Sequence, residues 1–313
     1  MDLLIDVILR AGRSAIELCF FVLLPVMVVM LSMMRLLEAK GVLDWVVARL
    51  TPVLRPVGLT GLGVFAALQI NFVSFAAPLA TLTMMEQRGT SSRHLAATVA
   101  MVLAMAQANV TMPMAAMGLH YSPALIWSVV GGLVAAACAY YGPGRHLSAE
   151  EARLDETLHH PVAESAKGVL DVINRAGSEA FKITLGSIPM LVLSLTVVLA
   201  LRRLGVVDGL THWLAPGLQS LGISPALILP TVTKYMAGGT AAMGVMDEML
   251  RAGTMTPETL NGPPAGFLIS PLDLPGLAIF MSAGPRIAQV WKPALLGGMA
   301  GILVRTLGHA LWS

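Results

Sequence analysis

Residues 6–12, Asp-Val-Ile-Leu-Arg-Ala-Gly, recur 165 residues later as residues 171–177, Asp-Val-Ile-Asn-Arg-Ala-Gly, with six of seven positions identical. A second stretch, residues 41–58, matches residues 205–222 at an offset of 164 with seven identities in 18 positions. Apolar segments aligned by chance would share mainly Leu and Val, whereas these matches include aspartate, proline and glycine. We infer that the chain contains two copies of one unit.

The composition indicates an integral membrane protein. Of 313 residues, 56% are hydrophobic and 12% charged, and the mean hydropathy is +0.76. A soluble domain has about 25% charged residues, so this chain could not cover a globule of its size with a polar surface. The net charge of +2 does not indicate a nucleic-acid partner. The lipid bilayer is therefore the expected partner, and an ordinary soluble enzyme is excluded.

A helix needs about 20 apolar residues to cross a bilayer, and the sequence contains about eight such stretches. They lie at about 16–37, 59–85, 95–119, 122–141, 183–201, 223–246, 265–283 and 293–312. The N-terminal residues around Leu3–Ala11 and the stretch 41–58 are amphipathic and predict helices that lie at the membrane interface. The expected fold is an all-α polytopic membrane protein with two homologous repeats.

The one long polar run, residues 143–168, predicts an aqueous linker with a short helix from Ala149 to Leu158. The predicted organisation is a first repeat over residues 1–142, the linker over 143–168 and a second repeat over 169–313.

Four of the apolar stretches are interrupted at matched places in the two repeats. The interruptions are Gln69–Ser74 and Gln107–Pro113 in the first repeat, and Thr231–Thr240 and Ser270–Gly276 in the second. Proline, paired glycine and clustered amides leave backbone groups without helical partners, which membrane proteins tolerate only inside protein or beside a wet cavity. A single break could be a simple proline kink, but four matched breaks indicate a binding site for a polar solute or an ion.

Lys234 and Asp273 are the charged residues that lie deepest in these breaks. A lone charge at mid-bilayer costs about 2.5–3.5 kcal/mol on the insertion scale, so such a side chain is usually paired or hydrated. Two alternatives stay open: a structural pair with each other, or contact with substrate or a coupling ion.

The interrupted segments resemble the nucleoside recognition (Gate) domain family. Residues 71–78 with 108–113 look like spore maturation protein A, and residues 230–239 with 246–249 like spore maturation protein B, fused head to tail. The domain is shared more distantly with concentrative nucleoside transporters and the membrane part of ferrous iron transporter B. The nucleoside transporters' Gln-Thr-Glu type hairpin motif is missing, as is the iron family's membrane cysteine.

The resemblance implies paired repeats with broken or re-entrant helices around a central site. Its pattern and the polar residues of the breaks give these candidate substrate-binding residues: Gln69, Asn71, Ser74, Asn109, Thr111, Thr233, Lys234, Thr240 and Asp273.

The expected function is a transporter in the bacterial cytoplasmic (inner) membrane for a small polar, nucleoside-like solute. The site is expected at the interface of the two repeats. Two alternatives stay open: a non-transporting membrane scaffold or accessory protein, and a divalent metal (iron) permease. Enzyme signatures such as a phosphate loop, G-x-S-x-G and H-E-x-x-H are absent from the sequence. No cofactor or bound metal is expected; Na⁺ and H⁺ are candidate coupling ions, and glycine-rich helix faces are compatible with a homo-oligomer.

Overall fold

The computed structural model describes residues 2–150, 168–206, 209, 212, 213, 216 and 224–312. Over these residues the protein is helical and contains no strand. Within the described ranges, five helices are long and apolar enough to cross a membrane, or six if one bent helix pair counts as a single span. The prediction of an all-α polytopic membrane protein is confirmed.

The first half begins with one long helix. The N-terminal amphipathic helix predicted from the sequence continues into the first apolar stretch through a π-helical turn at Leu18–Leu23. This wider turn lies just before Pro25, whose missing N–H would otherwise interrupt the hydrogen-bond ladder. The helices of this half are α1 (Asp2–Glu17), α2 (Leu24–Ala39), α3 (Val42–Leu54), α4 (Gly61–Phe72), α5 (Ala77–Gln87), α6 (Ser92–Ala104), α7 (Ala108–Ala116) and α8 (Tyr121–Tyr141).

Helix α3 is the amphipathic segment that the sequence places at the interface. The helical stretch that contains it meets α4 at 106°, through a turn in which Gly58 has a φ of +89°. The outward face of α3 exposes Trp45 and Val53. Because of this bend, α3 runs nearly at right angles to α4.

The second half begins, like the first, with a long apolar helix. Its helices are α9 (Val169–Arg203), α10 (Ile228–Ala237), α11 (Gly239–Arg251), α12 (Pro263–Phe267), α13 (Leu274–Met281), α14 (Pro285–Gln289) and α15 (Trp291–Trp312). All four predicted breaks are present, between α4 and α5, α6 and α7, α10 and α11, and α12 and α13. The helix predicted over Ala149–Leu158 and most of the stretch 205–222 lie outside the described residues.

Equivalent helices of the two halves run antiparallel. Asp6 pairs with Arg203, the Cys19 thiol faces the Thr184 carbonyl at 3.8 Å, and Arg35 pairs with Glu179 at 2.9 Å. Rising numbers in α1 and α2 thus meet falling numbers in α9. The first copy of the duplicated unit is therefore inverted relative to the second, as in many transporters built from internal repeats.

Small residues bring α8 and α15, the last helices of the two halves, close together. A Cβ atom added at Gly297 would lie 2.6 Å from the carbonyl oxygen of Ala135, and one added at Gly301 would lie 2.7 Å from the Ala135 Cβ. Helix α15 packs mainly on α8 and α6, and α6 is buried from His94 to its end at Ala104. The two halves are therefore interlocked around α6, whose broken end leads to the site.

Candidate functional site

A cavity of about 240 Å³ lies where all four breaks meet the long helix α9. We call it the first cavity. Phe75 and Gln107 of the first half line it, and so do residues of α9 and of both second-half breaks. The second-half lining residues are Gly186, Ser187, Ala237, Gly238, Gly239, Thr240, Pro271, Asp273, Pro275, Gly276 and Ile279. The cavity therefore lies at the interface of the two halves.

The α10–α11 break exposes backbone to the first cavity. Gly238 has a φ of +92°, a conformation that residues with a Cβ rarely adopt, so glycine lets the chain turn here. A Cβ at Gly239 would lie 2.5 Å from the Gln107 Nε2 atom. The two glycines thus let the break turn and let it approach the first half closely.

Asp273 holds the start of α13 and also faces the first cavity. Its Oδ1 accepts a hydrogen bond from the Gly276 amide at 2.7 Å, which makes Asp273 the N-cap of that helix. Asp273 lines the cavity beside Gly238 and Gly239 of the α10–α11 break, so the two second-half breaks meet here. The side chain is 6% exposed, and it supplies the cavity with a hydrogen-bond acceptor.

Gln107 supplies the first cavity with a hydrogen-bond donor. Its backbone is fixed, because its amide donates to the Ile269 carbonyl at 2.9 Å and its carbonyl accepts from the Thr111 hydroxyl at 2.9 Å. The residue is 3% exposed, and its Nε2 has no hydrogen-bond partner among the described residues. A buried unpaired donor is costly, so this amide is ready for an acceptor on a bound molecule.

Arg305 of α15 holds the end of α6 and the short helix α12 near the first cavity. Its guanidinium is fully buried and donates to the carbonyl of Ala104, the last residue of α6, and to that of Ala265 in α12 at 3.2 Å. Carbonyls at a helix C-terminus carry partial negative charge, which a cation stabilises. Arg305 does not line the cavity but fixes the ends of the two helices that lead to it.

Of the nine predicted residues, Thr240 and Asp273 line the first cavity. Asn109 lies beside it and connects the halves, because its Oδ1 accepts from the Phe75 amide at 3.0 Å and its Nδ2 donates to Thr240 Oγ1 at 3.4 Å. The hydroxyls of Thr111 and Thr233 bond to carbonyls one turn earlier in their own chain segments.

Lys234 is fully buried but does not line the cavity. Its ammonium donates to the carbonyl of Leu272 and lies 4.0 Å from the centre of the Tyr235 ring. Within the described residues Lys234 has no carboxylate oxygen within 4.0 Å, so the direct salt bridge to Asp273 that the sequence allowed is not formed. Lys234 instead anchors the residue that precedes Asp273.

The other three predicted residues lie in α4 or in the α4–α5 break and do not line the first cavity. Gln69 and Ser74 line a second cavity of about 370 Å³ between α2, α4, α5 and α9. Asn71 lines neither cavity, because its side chain bonds to the Ala67 carbonyl at 2.9 Å and accepts from the Ser128 hydroxyl at 2.6 Å. Asn71 therefore holds α4 against α8.

Of the thirteen residues that line the first cavity, only Thr240 and Asp273 were predicted site residues; those that were missed include Phe75, Gln107, Gly186 and Ser187. Gln107 had a sequence signal, because it opens one of the interruptions. Gly186 and Ser187 lie within the unbroken helix α9, where no break marks them.

No model of a protein family matches the sequence, and neither does any curated protein. Solved structures of the concentrative nucleoside transporter CNTnw are similar in fold. The inward-facing, substrate-bound state is 17% identical with a TM-score of 0.67, covering 92% of this chain and 73% of CNTnw. An outward-facing double variant is 16% identical with a TM-score of 0.66, covering 98% and 83%. The chain therefore has the fold of a membrane transporter.

Proposed function

We propose that this protein transports a small polar, nucleoside-like solute across the membrane and binds it in the first cavity. One observation carries the proposal: a free amide donor on Gln107 and a carboxylate acceptor on Asp273 face one cavity between the two halves. Ligand sites are typically concave and mostly apolar with a few convergent polar groups.

The lining matches the parts of a nucleoside. Asp273 and Thr240 would bond to sugar hydroxyls, and Gln107 would donate to a carbonyl or ring nitrogen of a base. Phe75, Pro271 and Ile279 supply apolar walls against which a flat ring can lie.

The surroundings of the cavity suit transport. The half-helices, their glycine turn and the inverted halves are features of transporters that expose a central site to each side in turn. CNTnw itself has been seen in inward-facing and outward-facing states, and this chain shares its fold with both. The bacterial inner membrane remains the proposed location, and Na⁺ and H⁺ remain the candidate coupling ions.

The direct experiment is uptake of radiolabelled uridine into liposomes that contain the purified protein, under Na⁺, H⁺ or no gradient. Wild-type protein should accumulate uridine above empty liposomes, and Asp273→Asn should lower uptake at least tenfold. Glu258→Gln, a change at an exposed position away from the first cavity, serves as the control and should transport normally. Equal uptake by wild type and Asp273→Asn would reject the site.

The scaffold alternative gives the opposite result, with no uptake of uridine or any other polar solute by well-folded protein. The metal permease would show metal uptake in the same liposomes. In the described residues no group of three or more His, Cys, Asp or Glu side chains could hold a metal ion. No observation favours either alternative over a transporter of polar solutes.

A further inference from the structure

The second cavity contains an unused hydrogen-bond acceptor. Glu38 of α2 lines it and is 3% exposed. Its Oε2 accepts from Arg35 at 2.7 Å, but its Oε1 has no partner among the described residues. A buried carboxylate oxygen without a donor is costly, which indicates that a molecule entering this cavity could supply one.

The charges of the second cavity balance. Arg35 and Lys182 provide two positive side chains, and Glu38 and Glu179 provide two negative ones. The Arg35 guanidinium is already shared between both carboxylates, at 2.7 Å from Glu38 and 2.9 Å from Glu179. A cavity with no net charge favours a neutral guest over an ion, because an ion would lose its hydration without a compensating charge.

The two cavities share two walls. On α9, Glu179, Lys182 and Ile183 line the second cavity, and Gly186 and Ser187, one turn further, line the first. Spacings of three and four residues place all of them on one helix face. In the α4–α5 break, Ser74 and Ala76 line the second cavity while Phe75 between them lines the first. The chain at Phe75 therefore passes from the lining of one cavity to that of the other.

We propose that the second cavity is a further binding station on the solute path, which takes a neutral, hydrogen-bond-donating solute through Glu38 Oε1. The inference rests on the proposed function and deepens it, because it assigns a charge class to the substrate. Gln69 and Ser74, predicted as site residues, act at this station rather than at the first.

The test counts the molecules of radiolabelled uridine bound per chain by purified full-length protein at equilibrium. Wild type should bind two. Glu38→Met removes the acceptor, and Ala80→Trp adds bulk to the lining while it keeps the charged residues, so each should bind one. Asp273→Asn should leave the second station alone and also bind one.

The outcomes separate the two proposals. If wild type binds one uridine, unaffected by Glu38→Met and Ala80→Trp but lost in Asp273→Asn, the second station is overturned and the first cavity stands. If wild type binds none, the nucleoside function falls and the second station with it. Folding of each variant is checked by its thermal midpoint, and Ala80→Trp keeps the test decisive if Glu38→Met unfolds.

Discussion

Replacing Gln107 by leucine should improve stability while it removes binding. Gln107 Nε2 is buried and no described residue bonds to it, which costs about 1–3 kcal/mol. Leucine has a similar volume, and a swap that conserves volume costs less than about 1.5 kcal/mol. We therefore expect the free energy of unfolding of Gln107→Leu to be unchanged or about 1 kcal/mol higher than that of wild type.

Binding should change in the opposite direction. Losing the amide removes one hydrogen bond and leaves an acceptor of the solute unpaired in a dry site, together about 1.5–3 kcal/mol. At 1.4 kcal/mol per tenfold, the affinity for uridine should fall about 10-fold to 100-fold. Equilibrium binding of labelled uridine and unfolding followed by tryptophan fluorescence measure the two effects on one sample.

Asn71→Leu is the matched control, because Asn71 is also a buried amide but both of its ends are bonded. This change leaves the Ser128 hydroxyl and the Ala67 carbonyl short of a partner and should lower stability by about 1–3 kcal/mol. The reasoning is refuted if Gln107→Leu is as unstable as Asn71→Leu, or if it binds uridine as tightly as wild type.

Three further predictions concern the cap of α13, the contact between α8 and α15, and the Arg305 guanidinium. Asp273→Ala should be about 1 kcal/mol less stable than Asp273→Asn in thermal unfolding, because asparagine can still cap α13 and alanine cannot; equal stabilities would contradict the cap. Gly301→Val should cost about 1–3 kcal/mol by forcing α15 away from α8, seen as a lower thermal midpoint; an unchanged midpoint would refute the close approach. Arg305→Met should weaken uridine binding at least tenfold while Arg305→Lys restores part of it, because only lysine can still donate to the Ala104 carbonyl; equal loss in both would exclude positioning by hydrogen bonding.

The breaks could be predicted from the sequence because their causes are local. Proline, paired glycine and clustered amides disrupt a helix wherever they occur, and the duplication showed that each break had a counterpart. The same local logic located Thr240 and Asp273, which lie within the breaks and line the first cavity.

Which polar side chains stay unpaired could not be predicted, because that depends on neighbours distant in the chain. Asn71 is bonded to Ser128 on another helix, whereas no described neighbour bonds to the amide nitrogen of Gln107. Arg305 did leave a signal, since it is a basic residue inside an unbroken apolar stretch. Its role could not be predicted, because the carbonyls that it bonds to, those of Ala104 and Ala265, lie far from it in the sequence.

Protection of a cysteine in the first cavity tests the central claim, that the solute occupies this space. Ser187→Cys is made in protein whose Cys19 and Cys138 are changed to alanine, and labelling by a maleimide is timed with and without saturating uridine. We predict that uridine slows labelling at least tenfold. A cysteine at exposed Ser282, away from the cavity, should label at one rate throughout. Equal labelling of Ser187→Cys with and without uridine, in protein that still transports uridine, would contradict the account.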